Sequence, residues 1–153
     1  LKQKKLKFNF TIIGGGQEYE RLIYAAHQMG LDENVSFIGS QAHNIIKDYL
    51  QESDIYLQYS IQEGFCNAVL EAQAMGLLSI VSDANGLTEN IRHNYSGWVV
   101  PRMAPELLAN RIEKVLSTPD ETLMQIRHNA IRRINREFSL SKQKEKFFEF
   151  YYK

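Results

Sequence analysis

Short apolar runs, each closed by glycine or a polar turn, alternate with stretches of helical spacing, and this alternation restricts the fold more than any other feature. Residues 6–13 (LKFNFTII) read as a strand stopped by Gly14-Gly15-Gly16. Residues 17–29 place Leu22, Ile23, Ala26 and Met29 at helical spacing and stop at Gly30. Val35 to Ile38 reads as a second strand closed by Gly39-Ser40, and residues 43–52 as a helix with Ile45, Ile46, Tyr49 and Leu50 on one side. Asp54 to Tyr59 is the third strand, 67–76 a helix ending at Gly76, and Leu77 to Val81 the fourth strand. A short helix near 87–93 and a strand over Gly97 to Val100 follow, then helices over 104–117, 121–137 and 140–152. Strand–helix alternation with short connections predicts an α/β fold: a parallel sheet with helices on both faces, followed by C-terminal helices. Right-handed crossovers put every strand-to-helix loop on one edge of such a sheet, and ligands bind at that carboxyl edge.

The 153 residues suffice for one domain with a hydrophobic core. Lys plus Arg and Asp plus Glu each number 18, a balance that argues against a nucleic-acid binder. The charges are unevenly spread: residues 1–100 hold 7 basic and 11 acidic side chains, and residues 101–153 hold 11 basic and 7 acidic. The mildly basic C-terminal part reads first as solvated helix faces, with an anionic surface, such as a membrane-bound acceptor, as the functional alternative. Cys66 is the single cysteine, so an internal disulfide is impossible, which suits a reducing, cytoplasmic setting. No apolar run is long enough for a membrane span, and no signal peptide is visible. The first residue is Leu1, which points to a piece of a longer protein.

The most informative segment is Glu63-Gly64-Phe65-Cys66-Asn67-Ala68-Val69-Leu70-Glu71-Ala72-Gln73-Ala74-Met75-Gly76. It follows a strand and enters a helix, so Glu63 belongs to a loop at the carboxyl edge. Gly64 permits a tight turn and close approach of a ligand. Cys66 to Ala68 open the helix, where free N–H groups and the helix dipole attract an anion. Glu71 follows one turn later, and its Cβ leans back toward the helix start. Two carboxylates thus flank an anion site. Carboxylates accept hydrogen bonds from paired hydroxyls, so the pattern suits a phosphate with a polyol on either side, that is, a nucleotide sugar.

Glu63 and Glu71, set in E-G-F-x-N-x-x-x-E-A-x-A-x-G, resemble the E-x7-E signature of the retaining glycosyltransferases of family GT4, which have the GT-B architecture. Ser82-Asp83-Ala84-Asn85-Gly86-Leu87-Thr88-Glu89 resembles that family's glycine loop and following Glu; Asn94-Tyr95-Ser96-Gly97-Trp98-Val99-Val100 resembles its n-G-x-x-V strand. Ile12-Ile13-Gly14-Gly15-Gly16 and Phe37-Ile38-Gly39 resemble two upstream elements, so the likeness runs in register from about residue 6 to residue 140. The resemblance implies a Rossmann-like, C-terminal half of a GT-B protein that binds a UDP- or GDP-sugar. It implies that Glu63 contacts the donor sugar, Glu71 holds the ribose, and the amides of Phe65 to Ala68 meet sugar and diphosphate. Gly39 and Ser40 then border the base, and Gly15 and Gly16 line the cleft. No cofactor or metal is implied, which agrees with the absence of a D-x-D pair; electrostatics would stabilise the departing diphosphate. Cys66, Leu77-Leu78 and Asn85-Gly86 depart from common family residues. The Arg and Lys that grip the diphosphate in this family, and its N-terminal acceptor-binding domain, belong before the first strand.

Other readings stay open. A non-catalytic nucleotide-sugar-binding module and a GT-B epimerase share these residues, whereas a receiver domain needs an Asp at a strand end, and Asp54 begins its strand instead. A dinucleotide fingerprint fails because Tyr19 stands where G-x-G-x-x-G needs glycine. Glu89 reads either as dipole support in the first turn of a helix or as part of the donor loop. His43 and His93 are candidates to touch phosphate or base, while His27 and His128 read as surface residues with no partner. Cys66 is placed for a lowered pKa at a helix start. Phe147, Phe148, Phe150, Tyr151 and Tyr152 read mainly as packing, with cleft-covering or docking on the missing domain as the alternative.

Overall fold

A computed structural model describes Leu1 and residues 6–151. The chain forms two compact units, Leu1–Gln51 and Glu52–Lys153. The first holds β1 (Phe10–Ile12), α1 (Tyr19–Gln28), β2 (Val35–Phe37) and α2 (His43–Gln51), with β1 and β2 paired in parallel through Phe10–Val35, Thr11–Ser36 and Ile12–Phe37. The second holds β3 (Ile55–Gln58), α3 (Asn67–Ala74), β4 (Leu78–Ser82), α4 (Asn85–Asn90), β5 (Trp98–Val100), α5 (Pro105–Leu116), α6 (Asp120–Glu137) and α7 (Leu140–Tyr151). Its sheet has the order β3-β4-β5, all parallel. The α/β class and the order of elements match the sequence reading. The hydrogen-bonded strands make a two-stranded sheet in the first unit and a three-stranded sheet in the second, both parallel.

The core of the second unit follows from the two-residue period of a strand. Every residue of the central strand β4 is buried. Leu78 and Ile80 join Trp98, Val100, Val115 and Ile126 in one cluster. Val81 joins Val69, Ala84, Leu87 and Ile91 in another. Helices thus cover both faces, which buried parallel strands require.

Helix α3 is short, and its end is locally encoded. Gly76 adopts φ of 81°, a conformation that suits glycine; its N–H bonds the Gln73 carbonyl, and the Leu77 N–H bonds that of Ala72. This Schellman pairing satisfies the last carbonyls of the helix. From the outer end of the sheet, Arg127 of α6 donates to the carbonyls of Gly76 and Asp54, fixing the strand-entry side.

Two expectations about elements fail. The sequence places a helix near 87–93, but α4 begins at Asn85 and contains Gly86. A Cβ on Gly86 would stand 1.5 Å from the Gly64 carbonyl oxygen, so close tertiary packing overrides glycine's poor helix propensity. The aromatic C-terminal stretch is not packing: α7 has no buried residue, and Phe150 is 78% exposed. Tyr152 lies outside the described residues.

Candidate functional site

In the second unit the loop after β3 carries Glu63, Gly64 and Phe65, and Cys66 stands at the N-cap of α3 in extended conformation. Asn67 and Ala68 are the first two helical residues, and Glu71 follows one turn on. Glu63, Cys66 and Glu71 are half-buried, whereas Gly64, Phe65 and Asn67 are exposed. Gly64 does not turn through positive φ, so the tight-turn expectation is not met; a Cβ there would meet open space, which leaves its backbone accessible. The tight approach runs the other way, with the Gly86 N–H donating to the Glu63 carbonyl at 3.2 Å.

Tyr56 of β3 and Cys66 are both influenced by the two carboxylates. Burial, then the charges of Cys66, Glu71 and Glu63, push the Tyr56 hydroxyl far above its ordinary value. Burial also pushes the Cys66 thiol up; the amides of Val69 and Ala68 pull against it, but Glu63 and Glu71 add to the rise. The expectation of a lowered thiol pKa is therefore corrected, because burial and two carboxylates outweigh the helix start. Both carboxylates thus act on Tyr56 and Cys66, Glu63 from the loop that leads into α3 and Glu71 from one turn inside that helix. A string of hydrogen bonds leads to Glu63: Tyr56 donates to Gln58 at 2.9 Å, Gln58 to Ser60 at 2.9 Å, and the Ser60 hydroxyl approaches the Glu63 carboxylate at 3.5 Å.

The helix opening is partly occupied. The Cys66 N–H donates to Asn90 Oδ1 at 3.3 Å, so it is not free for an anion as the sequence reading supposes. Asn67 and Ala68 carry the next two amides. Phe65 rests against Phe138, with ring centroids 6.0 Å apart.

Residues that the sequence reading passed over tie the rim together. Arg102 donates from its backbone to Asp83 Oδ1 at 2.9 Å and from its guanidinium to the Ile61 carbonyl at 2.8 Å, joining the loops after β3, β4 and β5. The Tyr59 hydroxyl donates to the Pro101 carbonyl and accepts from the Ala104 N–H. Ser82 donates to the Ser60 carbonyl. Glu89 sits one residue from the end of α4, so it cannot support that helix's first turn. His93 Nδ1 accepts the Val99 N–H at 3.0 Å and is committed to the fold. His27 pairs with Asp32 at 2.9 Å, contrary to the expectation of no partner.

In the first unit the glycine loops after β1 and β2 meet. The Gly14 N–H donates to the Gly39 carbonyl at 2.8 Å, and a Cβ on Gly15 would come within 3.1 Å of Ser40 Oγ. Gly14 and Gly15 thus meet Gly39 and Ser40 at the carboxyl edge of that unit, while a Cβ on Gly16 would meet open space. Among the described residues, no group of three or more His, Cys, Asp or Glu side chains is gathered to hold a metal ion. No helix of the described residues is long and apolar enough to cross a membrane. In the second unit a shallow cavity of about 270 Å³ lies beside β5 and α5, lined by Val100, Pro101, Leu107, Asn110, Arg111 and Lys114.

Comparison with known proteins now gives this geometry a family. Residues 1–133 match the glycosyl transferases group 1 family. The amylovoran biosynthesis glycosyltransferase AmsK of Erwinia amylovora is 37% identical over 115 residues, 71% of this chain and 28% of its own length. The chain therefore spans about a third or less of that relative. The crystal structure of HepE from Anabaena in complex with UDP superposes with a TM-score of 0.85 at 21% identity, covering 94% of this chain and 40% of HepE; HepE also has a structure in complex with UDP-glucose. The C-terminal domain of the group 1 glycosyl transferase LpcC from Francisella tularensis, solved by itself, covers 91% of both chains with a TM-score of 0.73 at 20% identity. The chain belongs to the glycosyl transferases group 1 family and has the Rossmann-like fold of the C-terminal domain of a GT-B protein.

Proposed function

We propose that this chain is the donor-binding domain of a retaining glycosyltransferase of the GT4 type, which moves a sugar from UDP or GDP to an acceptor held by another part of a longer protein. The observation that supports the reading is the order at the opening of α3: Glu63 in the loop that enters the helix, Asn67 and Ala68 as its first residues, and Glu71 one turn on. The amides of Asn67 and Ala68, reinforced by the helix dipole, stabilise the charge that grows on the departing diphosphate. Glu71 accepts from the ribose hydroxyls. Glu63, in the E-x7-E pair, accepts from the sugar hydroxyls and is the residue nearest the chemistry. Gly64 leaves its backbone open to the sugar, and Phe65 and Cys66 wall the site. The reaction uses fixed dipoles and cations in place of a metal. HepE, with UDP and UDP-glucose in its structures, supports a uridine donor as the first to try. The domain works beside the cytoplasmic pool of nucleotide sugars, and the basic C-terminal helices face an anionic membrane surface that carries the acceptor.

Calorimetry with UDP, GDP and UDP-glucose tests this. The chain binds at least one of them, and Glu71→Ala weakens nucleotide binding by about 1–3 kcal/mol through loss of a charged hydrogen-bonding partner. Glu63→Ala weakens UDP-glucose more than UDP. Equal affinity of the native chain and Glu71→Ala removes the ribose assignment.

A further inference from the structure

The loop that the proposed function assigns to the donor is held from behind by a residue of α6. Arg133 is almost buried, its side chain only 6% exposed. A buried cation is costly unless its surroundings compensate it. Its partners are specific: one guanidinium nitrogen donates to the Asn90 carbonyl at 2.5 Å, another to the Glu89 carbonyl at 2.7 Å, and Nε lies 2.8 Å from Glu137. The two carbonyls are at the end of α4, where the helix dipole favours a cation.

From Arg133 two branches reach the same loop. In one, the Asn90 whose carbonyl Arg133 holds accepts the Cys66 N–H through Oδ1 at 3.3 Å, and Gln73 donates to that carbonyl at 3.0 Å. In the other, the guanidinium carbon lies 4.9 Å from the centre of the Phe138 ring, a cation–π distance, and Phe138 packs 6.0 Å from Phe65. Phe65 and Cys66 are adjacent in sequence, so the two branches grip successive residues before α3. Asn90 is fully buried, which keeps water from competing for the Cys66 amide.

We infer that Arg133 and Phe138 are positioning residues: they fix the backbone of Phe65 to Asn67, so that the Asn67 and Ala68 amides are aimed before a diphosphate arrives. The inference rests on the donor reading for its purpose, but the mechanical link stands by itself and is tested separately. Hydrogen exchange of the full chain is followed in native protein, Phe138→Leu, Phe138→Tyr and Arg133→Lys. Phe138→Leu speeds exchange at the Cys66 N–H, the amide of this stretch that Asn90 holds, and leaves β4 at its native protection; Phe138→Tyr, which keeps the ring, restores slow exchange. In calorimetry with UDP, Phe138→Leu weakens binding roughly threefold to tenfold, the fold-change equivalent to a lost aromatic contact. If Phe138→Leu does not fold, Arg133→Lys, which keeps the charge and loses the two-pronged grip, is read the same way. Native exchange at the Cys66 N–H in the variants, or an equal rise at β4, overturns the link. Absence of UDP binding by the native chain overturns the donor reading instead, and the exchange result still decides the link.

Discussion

Gly86 acts by what it lacks. Its position 1.5 Å from the Gly64 carbonyl, measured to a Cβ that is not there, means that any side chain pushes the glutamate-bearing loop away from α4. Gly86→Ala therefore costs about 3 kcal/mol, the upper range for overpacking against an unyielding backbone, and denaturant melts read it directly. Cys66 gives a second measure of the same locality. Because burial and the two carboxylates raise its pKa from 9.0, alkylation by iodoacetamide is slow at neutral pH and keeps rising with pH through 9 without levelling off. UDP slows that reaction if it covers the helix opening. A rate that levels off below pH 8 contradicts the electrostatics described here. That Glu63 and Gly64 fall in a loop and Glu71 on the helix after it was legible in the sequence, because both elements carry local signals. Asn90, Arg102 and Arg133 were not. Asn90 meets Cys66 across 24 residues and Arg133 meets Asn90 across 43, separations that neither periodicity nor motif spacing reports.

Elements were more legible than their contacts. The glycine at the end of α3 and the alternating Leu78, Ile80 and Val81 of β4 each carry a local signal, and both elements lie within two residues of the expected limits. Helix α4 was misplaced because its first turn is tied to a distant loop, the Gly86 N–H donating to the Glu63 carbonyl, and glycine within it masks the helix from propensity. Strand β1 is shorter than its apolar run because only Phe10, Thr11 and Ile12 have partners in β2. Helix α7 shows the opposite error: an aromatic-rich stretch suggests burial, yet Phe147, Phe148, Phe150 and Tyr151 are exposed. Ending the chain after Ser139 thus changes the stability of the second unit by no more than about 0.5 kcal/mol, as for surface changes that remove no core contact. A larger loss in a thermal melt assigns α7 a place in the core that its exposure denies.

The whole molecule distributes burial unevenly. Among the described residues of the first unit only Leu50 is buried, whereas both hydrophobic clusters lie in the second. A chain of residues 52–153 accordingly folds cooperatively, with the emission of the single tryptophan, Trp98, blue-shifted by burial and red-shifted in one transition on denaturation. Residues 1–51 by themselves bury too little to hold a fold. The family was readable from an ordered series of motifs, while the separation of the strands into two hydrogen-bonded sheets depends on pairing that no motif states. The direct test of the site is a two-dimensional amide NMR titration with UDP. The amides of Asn67 and Ala68 shift first and most, with smaller changes beside Glu71, and Glu71→Ala suppresses them. Shifts concentrated at the cavity beside α5, or none at the opening of α3, would contradict the account.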